Sequence, residues 1–555
     1  MALFRSDSRD VDFVPGTVRL FEFDQHDGTL AVPELVLVPT PSAHPDDPLN
    51  WTAARKHLSL ACVCLYTLAL GLETSALYSI YVPYSEATGI SIATLNSAVG
   101  VMYLMVGFAP ILTNPLSAVI SREIDFDSQF QGKRPVYLGS MLLAIGVAVW
   151  SPFIKSTPEW YGRCVLLGVA GGPIFGSTEP SVADVYFQHE RATPFSVYVV
   201  VLYLGALLCP LLGAYIAEGI DYQAVFYFNA IVIAVVFVFC FVFMEETNYH
   251  RDTDSIVTEA RNEADPTHDD DDLPKPGAIQ LQKVPASSHV VQADVRRKSF
   301  VQRLALWTRP RGSVLHNFRD GVLQPLQFLR LPIVWFCAIQ YAFGQVYFNM
   351  INAITAQILY APPYLFTTTQ IGLTYLAPIV MTIPSVLLFG WYSDRFAVKM
   401  ARRNGGISEP EHKLWLMLPL FVALPLSILF LGFAPYYGLL WAAYVIGGMG
   451  LSCAAGGVVT TAALNYLFDS YHDFKSDKAT SASDDSPQML AVLPPAMAIP
   501  FGFGYAITPW ISNLKTFAIS AACVAFAINA LALPMIRWGK SLRRRDAGVL
   551  YGKGQ

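Results

Sequence analysis

The sequence predicts an all-α membrane protein whose chain crosses the bilayer twelve times, in two pseudo-symmetric halves of six helices each. Three observations lead to this prediction. The residues are 54% apolar and only 14% charged, long apolar segments recur along the chain, and one long polar stretch divides them into two equal sets. A soluble protein of this size carries about a quarter charged residues, so much of this surface is expected to face lipid.

Twelve apolar segments are long enough to cross a bilayer, which takes about 20 residues per helix. They start near residues 58, 93, 136, 161, 195 and 224, and then near residues 331, 371, 415, 438, 488 and 516. We refer to them as spans 1 to 12. The predicted organisation is an N-terminal tail (1–57), a first six-helix half (58–246), a central linker (247–330), a second six-helix half (331–537) and a C-terminal tail (538–555).

Positive charges lie in alternate loops between the predicted spans. One side of the membrane carries nearly all of them, including Arg55, Lys133, Arg134, the cluster Arg395–Arg403 and the tail from Lys540. Loops rich in Lys and Arg stay in the cytoplasm, so both termini and the linker are expected there, with the plasma membrane as the expected location. The net charge of −5 argues against a nucleic-acid partner.

The central linker contains the sequence RRKS, from Arg296 to Ser299. It resembles a site for basophilic kinases, which would make Ser299 a phosphorylation site. The alternative is a basic patch beside the membrane, which needs no modifying enzyme.

Two loops in equivalent positions of the two halves indicate an internal repeat, the plan of many secondary transporters. GWYSDRFAVKMARRNGG (Gly390–Gly406) follows span 8, and the loop at residues 114–138 follows span 2. Gly390 would allow two helices to approach closely, and Asp394 would lie at a helix end near arginines or backbone N–H groups. Such contacts would hold the cytoplasmic face shut. Alternatively, the basic cluster only fixes the topology.

On these loops, the chain from about Asp47 to Arg545 resembles the major facilitator superfamily. Gly390-x-x-x-Asp394-Arg395 is similar to the second-half copy of its loop signature. The segments DPLNW, EET and RRNGGISEPEHKL resemble its fungal drug:proton antiporter branch, and within it the relatives that move polyamines and other organic cations. The resemblance implies the major facilitator fold. The residues expected at the cytoplasmic gate are Arg122, Lys133, Arg134, Asp184, Arg191, Gly390, Asp394, Arg395, Arg402 and Arg403.

Glu73 is an ionisable residue deep in span 1, some fifteen residues from its start. A charge at the centre of a membrane helix costs about 2.5–3.5 kcal/mol on insertion scales, so such a residue is a functional candidate. Glu73 could bind a cation, carry the coupling proton, or do both by exchange. Alternatively, it is a structural carboxyl group bonded to a neighbouring helix.

Span 4 and its cytoplasmic end contain three further ionisable candidates. Glu179 could belong to the gate or to the translocation path, where it would serve proton coupling. Arg163 matches the span 4 arginine that the resemblance links to proton transfer, or it is an arginine that extends towards the outer interface. Asp184 with Arg191 resembles the charged boundary between spans 4 and 5 of the family.

Span 7 is unusually polar for a helix that faces lipid. Gln345, Asn349 and Asn352 follow the spacing i, i+4, i+7 and therefore share one helix face. Together with Gln340 and Tyr341 they are expected to form the polar wall of a substrate cavity. Alternatively, they make hydrogen bonds between helices.

Prolines are expected to bend two spans. Pro210 in span 5 follows Cys209, where the family has a Gly-Pro pair linked to antiport. Pro494, Pro495 and Pro500 predict that span 11 is a broken helix that bends during alternating access.

These observations favour a proton-coupled secondary transporter, not an enzyme, that moves a small organic molecule, either a cation or a drug-like metabolite. The direction of transport stays open between export and import, and a non-transporting sensor on the same fold is the lesser alternative. The chain has no Walker motif for ATP. We expect a monomer without cofactor or metal.

Overall fold

The computed structural model describes residues 14–19, 21–22, 34–35, 47–120, 133–187, 189–247, 323, 325–471 and 487–550. Arg122, Ser299 and nearly all of the predicted linker lie outside these ranges, so the predictions made for them have no structural counterpart here.

The described residues of the first half form eight α-helices. Four of them are longer than 20 residues, as expected where the backbone must satisfy its own hydrogen bonds in lipid. They are α1 (Ala53–Thr74), α2 (Tyr81–Thr88), α3 (Ile92–Ile120), α4 (Arg134–Trp150), α5 (Thr157–Gly176), α6 (Thr178–Val185), α7 (Ala192–Gly219) and α8 (Tyr222–Phe243). Some ends are capped locally: Asp221 accepts a hydrogen bond from the backbone of Ala224 at the start of α8.

Where the structure describes the second half, it forms nine α-helices and one segment of π-helix (Ala443–Gly450) that leads directly into α14. They are α9 (Pro332–Tyr360), α10 (Thr368–Thr374), α11 (Leu376–Arg403), α12 (Glu411–Leu414), α13 (Leu420–Tyr436), α14 (Leu451–Tyr471), α15 (Pro487–Trp510), α16 (Leu514–Ala530) and α17 (Ala532–Leu550). A capping box at Thr367 and Gln370 starts α10.

Each of the twelve predicted starts falls in one of these helices or within about five residues of one, and the all-α fold class is confirmed. Nine helical segments of the described chain are long and apolar enough to cross a membrane. Neither α5 nor α9 is among the nine, and α15 contributes only the shorter apolar stretch Val492–Ile507. Of the described spans, spans 4 and 7 are therefore the least lipid-like.

The two halves pack together along several helix pairs. Helix α3 packs on α15, and α7 packs on both α11 and α14. Small residues allow the closest approaches within and between the halves. A Cβ atom on Gly205 of α7 would lie 2.8 Å from the carbonyl oxygen of Leu68 in α1, so this pair of helices depends on the missing side chain.

The predicted break in span 11 is wrong. Helix α15 runs without interruption from Pro487 to Trp510, with Pro494, Pro495 and Pro500 inside it, and Pro210 likewise lies inside α7. Each proline removes one backbone hydrogen bond, but α15 is supported by packing against α3 and α9. Whether these prolines bend their helices during a transport cycle stays a prediction.

Two short antiparallel strand pairs lie outside the helices. Strand β1 (Val18–Arg19) pairs with β4 (Ile407–Ser408), which follows α11, and β2 (Phe21–Glu22) pairs with β3 (Glu34–Leu35). The first pair joins the N-terminal tail to the second half. We call the end of the bundle that carries Arg55, Lys133, Arg402 and Lys540 the basic face, and the other end the opposite face.

Candidate functional site

A central cavity lies between the two halves. The first half supplies most of its wall, and α9 supplies Gln345 and Phe348. Among the described residues that line it none is charged, and four carry aromatic rings: Tyr103, Phe175, Tyr203 and Phe348. The site therefore offers aromatic faces and few polar groups, a common composition for pockets that bind small molecules.

A second cavity shares Tyr103 with the first and involves both α9 and α15. Here the Tyr78 hydroxyl lies 3.4 Å from both the Tyr103 hydroxyl and the Asn349 Oδ1 atom. Tyr81 and Asn96 also line this cavity, and the Tyr81 hydroxyl and Asn96 Nδ2 have no hydrogen-bond partner in the described structure. These unpaired buried groups are available to a polar ligand.

The predicted polar face of span 7 is divided between different surroundings. Gln345 lines the first cavity and Asn349 the second. Gln340 donates instead to the carbonyl oxygen of Ile528 in α16 (2.9 Å), and Asn352 donates within its own helix to Phe348 (3.0 Å). Two of the four amides therefore face the cavities, while Gln340 joins helices.

Glu73 and Arg163 form a buried ion pair at the end of α1. The Arg163 Nη2 atom lies 2.6 Å from Glu73 Oε1, and the two side chains are 3% and 0% exposed. Asn229 of α8 donates to Glu73 Oε2 (3.2 Å), and Arg163 Nε donates to Ser151 (2.7 Å). Arg163 is thus not an arginine extended towards the interface. Glu73 itself does not line either cavity, but its neighbour Thr74 lines the first.

Glu179 is a buried carboxyl group held across the two halves. It lies at the start of α6, after the helical path of span 4 is interrupted at Ser177. Its Oε1 atom accepts hydrogen bonds from Tyr341 of α9 (2.9 Å) and from Tyr198 of α7 (3.4 Å). Its Oε2 atom has no partner in the described structure. Tyr341 also contacts Phe175, which lines the first cavity.

At the basic face, Asp394 of α11 caps the N-terminus of α7. Its carboxylate accepts from the backbone N–H groups of Ala192 (3.1 Å) and Thr193 (2.9 Å) and from the Thr193 hydroxyl (2.7 Å). One turn earlier, a Cβ atom on Gly390 would lie 2.6 Å from the Cβ atom of Ser196. At the basic face the two halves thus contact each other through backbone N–H groups of α7 and through the close approach that Gly390 allows. Arg395 lies over the ring of Trp391 in its own helix.

Two equivalent ion pairs lie on the basic face. Lys133, just before α4, pairs with Asp184 (2.8 Å), and Lys413, just before span 9, pairs with Asp469 at the end of span 10 (2.7 Å). Asp469 is not among the gate residues predicted from the sequence. The repeat could have revealed it, because a lysine before the third span of a half and an aspartate at the end of the fourth recur in both halves.

The remaining basic residues have separate surroundings. Arg191 donates to the carbonyl oxygens of Ala183 and Tyr186, and the Arg134 guanidinium to that of Phe241. Arg402 and Arg403 are exposed at the end of α11.

The halves also touch at the opposite face. A Cβ atom on Gly372 would lie 3.3 Å from the carbonyl oxygen of Pro210, and one on Gly504 would lie 3.2 Å from Gly100 Cα. The cavities thus lie between two sets of inter-half contacts. Among the residues that the structure describes, no group of three or more His, Cys, Asp or Glu is placed to hold a metal ion.

Comparisons with known proteins agree with this arrangement. The chain is 25% identical to an uncharacterized MFS-type transporter of Schizosaccharomyces pombe, over 98% of this chain and 94% of that protein. It is 22% identical to Protein HOL1 of Saccharomyces cerevisiae, over 96% and 95% of the two chains. The MFS antiporter QDR3 of Candida albicans is 21% identical over 79% of this chain and 72% of its own.

Among solved structures, the proton:xylose symporter XylE has the same fold, with a TM-score of 0.55 and 14% identity over 90% of this chain and 99% of its own. Residues 63–483 match the profile of the Major Facilitator Superfamily. On the fold, the paired cavities and this match, the chain belongs to the Major Facilitator Superfamily and is a membrane transporter.

Proposed function

We propose that the protein is a proton-coupled secondary transporter that moves a small organic molecule by alternating access. The observation that carries this proposal is the buried pair of Glu73 and Arg163 next to the central cavity. Buried charges inside a membrane are costly and mark ion pathways and proton relays. This pair lies one residue from Thr74, a cavity residue, so a change in its charge acts directly on the wall of the site.

Proton binding would change the contacts of this pair in a defined way. A protonated Glu73 loses its charge and most of its attraction for Arg163, which then keeps Ser151 as a partner. Because Glu73, Arg163 and Asn229 lie on α1, α5 and α8, proton transfer would loosen three helices of the first half against one another. That gives the proton a physical means to shift the conformational equilibrium.

Glu179 is the second proposed coupling group. Its carboxyl group bonds Tyr341 from the other half, so its protonation state bears directly on a contact between the halves. A charged carboxylate with one unpaired oxygen is costly to bury. We propose that it is neutralised either by a proton or by the positive group of a substrate.

The cavity favours a substrate with an aromatic or cationic body. The rings of Tyr103, Phe175, Tyr203 and Phe348 present faces that attract organic cations, and Gln345 supplies a polar contact. Within this class, a polyamine is a candidate because the carboxyl group of Glu179 bonds Tyr341, which contacts the cavity residue Phe175. The name of the Candida albicans relative, an MFS antiporter, supports antiport for this chain; we propose export in exchange for protons, with cation import as the alternative.

Alternating access would use the two sets of inter-half contacts in turn. We propose that residues 58–246 and 331–537 move as two units, and that Asp394 and Gly390 hold the basic face closed against α7. The neighbouring gate residues proposed with them are Arg122, Lys133, Arg134, Asp184, Arg191, Arg395, Arg402 and Arg403. Opening the basic face would break the Asp394 contacts and leave those at Gly372 and Gly504 in place.

The orientation and location are proposed from the distribution of charge. Because basic loops stay in the cytoplasm, we propose that the basic face and both termini are cytoplasmic. The membrane proposed for the protein is the plasma membrane. We further propose a monomer, and Ser299 as a site for a kinase.

Transport in yeast cells that lack their own polyamine and drug transporters would test the proposal. Uptake and efflux of labelled spermidine and of tetraphenylphosphonium are measured at two external pH values, for the wild type and for Glu73→Gln. We expect movement of at least one cation that depends on pH in the wild type and not in Glu73→Gln. The control is Glu86→Gln, because Glu86 is exposed on α2.

Transport by Glu73→Gln that keeps the pH dependence of the wild type would contradict coupling through Glu73. If neither cation moves in the wild type, the proposed substrate class is wrong, and neutral aromatic metabolites become the compounds to test.

A further inference from the structure

A short N-terminal segment, Val14–Arg19, docks on the basic face of the second half. Val14, Pro15 and Gly16 are buried, although they lie more than 30 residues before α1. The strand β1 at the end of this segment pairs with β4, with Val18 opposite Ser408 and Arg19 opposite Ile407. We call Val14–Arg19 the docked segment.

Arg543 of α17 connects the docked segment to the loop between spans 8 and 9. Its guanidinium forms a two-point ion pair with Glu411, with Nε to Oε1 at 2.9 Å and Nη2 to Oε2 at 2.6 Å. The Nη1 atom donates to the carbonyl oxygen of Pro15 and to the Thr17 hydroxyl. The Arg543 side chain is 0% exposed. The N–H donors of its guanidinium bond to Glu411 of α12 on one side and to the docked segment on the other.

Gly16 fits a place that other residues cannot occupy. Its φ of +77° lies in the left-handed region, and a Cβ atom there would lie 2.8 Å from the Cα atom of Ser470. Ser470 lies at the end of α14. A larger residue at position 16 would therefore meet both backbone strain and the backbone of α14.

The docking surface lies beside the contact between the halves. Strand β4 follows α11, whose Asp394 caps α7. At the end of α14, the ring of Phe468 stacks on Phe195 of α7, with the ring centroids 5.3 Å apart. The docked segment therefore contacts the end of α14 and the strand β4 that follows α11, and these are the two second-half helices that pack on α7 at the basic face.

We propose that the docked segment is an intramolecular clamp: it fixes the ends of α11 and α14 against each other while the basic face is closed, and it must leave before that face opens. The proposal rests on the alternating access proposed above. Strand addition at an exposed β edge is a known mode of peptide recognition, and here the peptide is the tail of the same chain. The clamp slows transport because its release precedes opening.

A reversible crosslink tests whether the clamp must be released. Val18→Cys and Ser408→Cys introduce cysteines on directly paired residues, whose Cα atoms in an antiparallel pair lie about 4.5–5.5 Å apart, within reach of a disulfide. The background carries Cys64→Ser and Cys523→Ser, because the other six cysteines are buried. The substrate is the cation that the wild type transports.

We expect oxidation to lower the initial transport rate at least tenfold and dithiothreitol to restore it, while the two single-cysteine variants keep their rate. A crosslinked protein that transports as fast as its reduced form would overturn the clamp. So would the failure of the two cysteines to form the disulfide, because the docked pairing itself would then be wrong.

A second measurement does not depend on transport. Ser393 is buried on α11, next to Asp394. In the variant Ser393→Cys, the rate at which a polar maleimide labels the new cysteine reports opening of the basic face. Gly16→Val should displace the docked segment and raise this rate at least twofold. The matched control is Gly438→Val, because Gly438 also has positive φ (+61°) but has no atom within 4 Å of its Cβ position.

Equal labelling in Gly16→Val and Gly438→Val would overturn the clamp even if no substrate were found. Absence of transport together with faster labelling in Gly16→Val would instead count against the proposed substrates and support the clamp.

Discussion

The hydroxyl group of Tyr341 donates a hydrogen bond to Oε1 of Glu179 at 2.9 Å. This bond joins α9 of the second half to α6 of the first, in the interior of the protein. The same oxygen accepts a longer bond from Tyr198 (3.4 Å), whose hydroxyl also lies 2.7 Å from the carbonyl oxygen of Ile174. The bond across the halves is therefore the shorter of the two.

Tyr341→Phe is expected to impair transport more than Tyr198→Phe. Both changes remove a hydrogen bond to the same carboxyl group, and loss of a partner for a buried polar group costs about 1–3 kcal/mol. Only Tyr341 lies in the other half, so only its loss weakens the link between the halves. The measurement is the initial rate of transport at equal expression. Equal rates in the two variants would show that the inter-half bond has no special role.

Arg163→Met is expected to destabilise the protein strongly, and Glu73→Gln in the same chain to recover most of the loss. Removing one member of a buried ion pair leaves the other uncompensated and costs about 3–5 kcal/mol. The double variant leaves no charge at this site. Thermal unfolding in detergent, followed by fluorescence, measures the stability of the wild type and of the two variants. A double variant less stable than Arg163→Met would contradict this account of the pair.

Asp394→Asn is expected to shift the protein towards a state with an open basic face. The amide offers one acceptor oxygen in place of two and no negative charge, whereas the N-terminus of α7 favours an anion by about 0.3–2 kcal/mol. Nitroxide labels at the exposed positions Glu190 and Arg403 measure the separation of the halves by electron paramagnetic resonance. The longer distances should gain population. An unchanged distribution would show that Asp394 does not hold the face closed.

Asp469→Asn is expected to lower the unfolding temperature more than Asp184→Asn. Both remove the carboxylate from a lysine–aspartate pair, but the Asp469 side chain is 3% exposed and that of Asp184 is 21% exposed. Solvent screens the more exposed pair and reduces its contribution. The unfolding temperatures of the two purified variants decide the order. A larger loss in Asp184→Asn would contradict the explanation by burial.

The fold followed from the sequence because its main determinant is local. A run such as residues 224–243 contains no charge, and in lipid such a run can only be a helix. The break in span 11 was predicted incorrectly because the effect of Pro494, Pro495 and Pro500 on the helix depends on packing. Helices α3 and α15 support each other there, and no local pattern reports that support.

The site was less predictable, because its contacts join residues far apart in the chain. Glu73 stands out as a charge in a span, but its partner Asn229 lies 156 residues away, in a largely apolar helix whose other amide residue, Gln223, lies in the first turn. The spacing of Gln345 and Asn349 indicates a shared face, yet it does not tell which amide faces a cavity. Likewise, the docked segment has no local signal, since its burial depends on Glu411 and Arg543.

The composition of α5 and α9 has a consequence for biogenesis. These helices carry charged or amide side chains and are absent from the nine segments that are long and apolar enough to cross a membrane. A newly made helix with polar residues partitions poorly into lipid on its own. Both should therefore depend on neighbouring helices at the translocon, and α9, as the first span after the linker, should wait there until α14 and α15, on which it packs, have been synthesised.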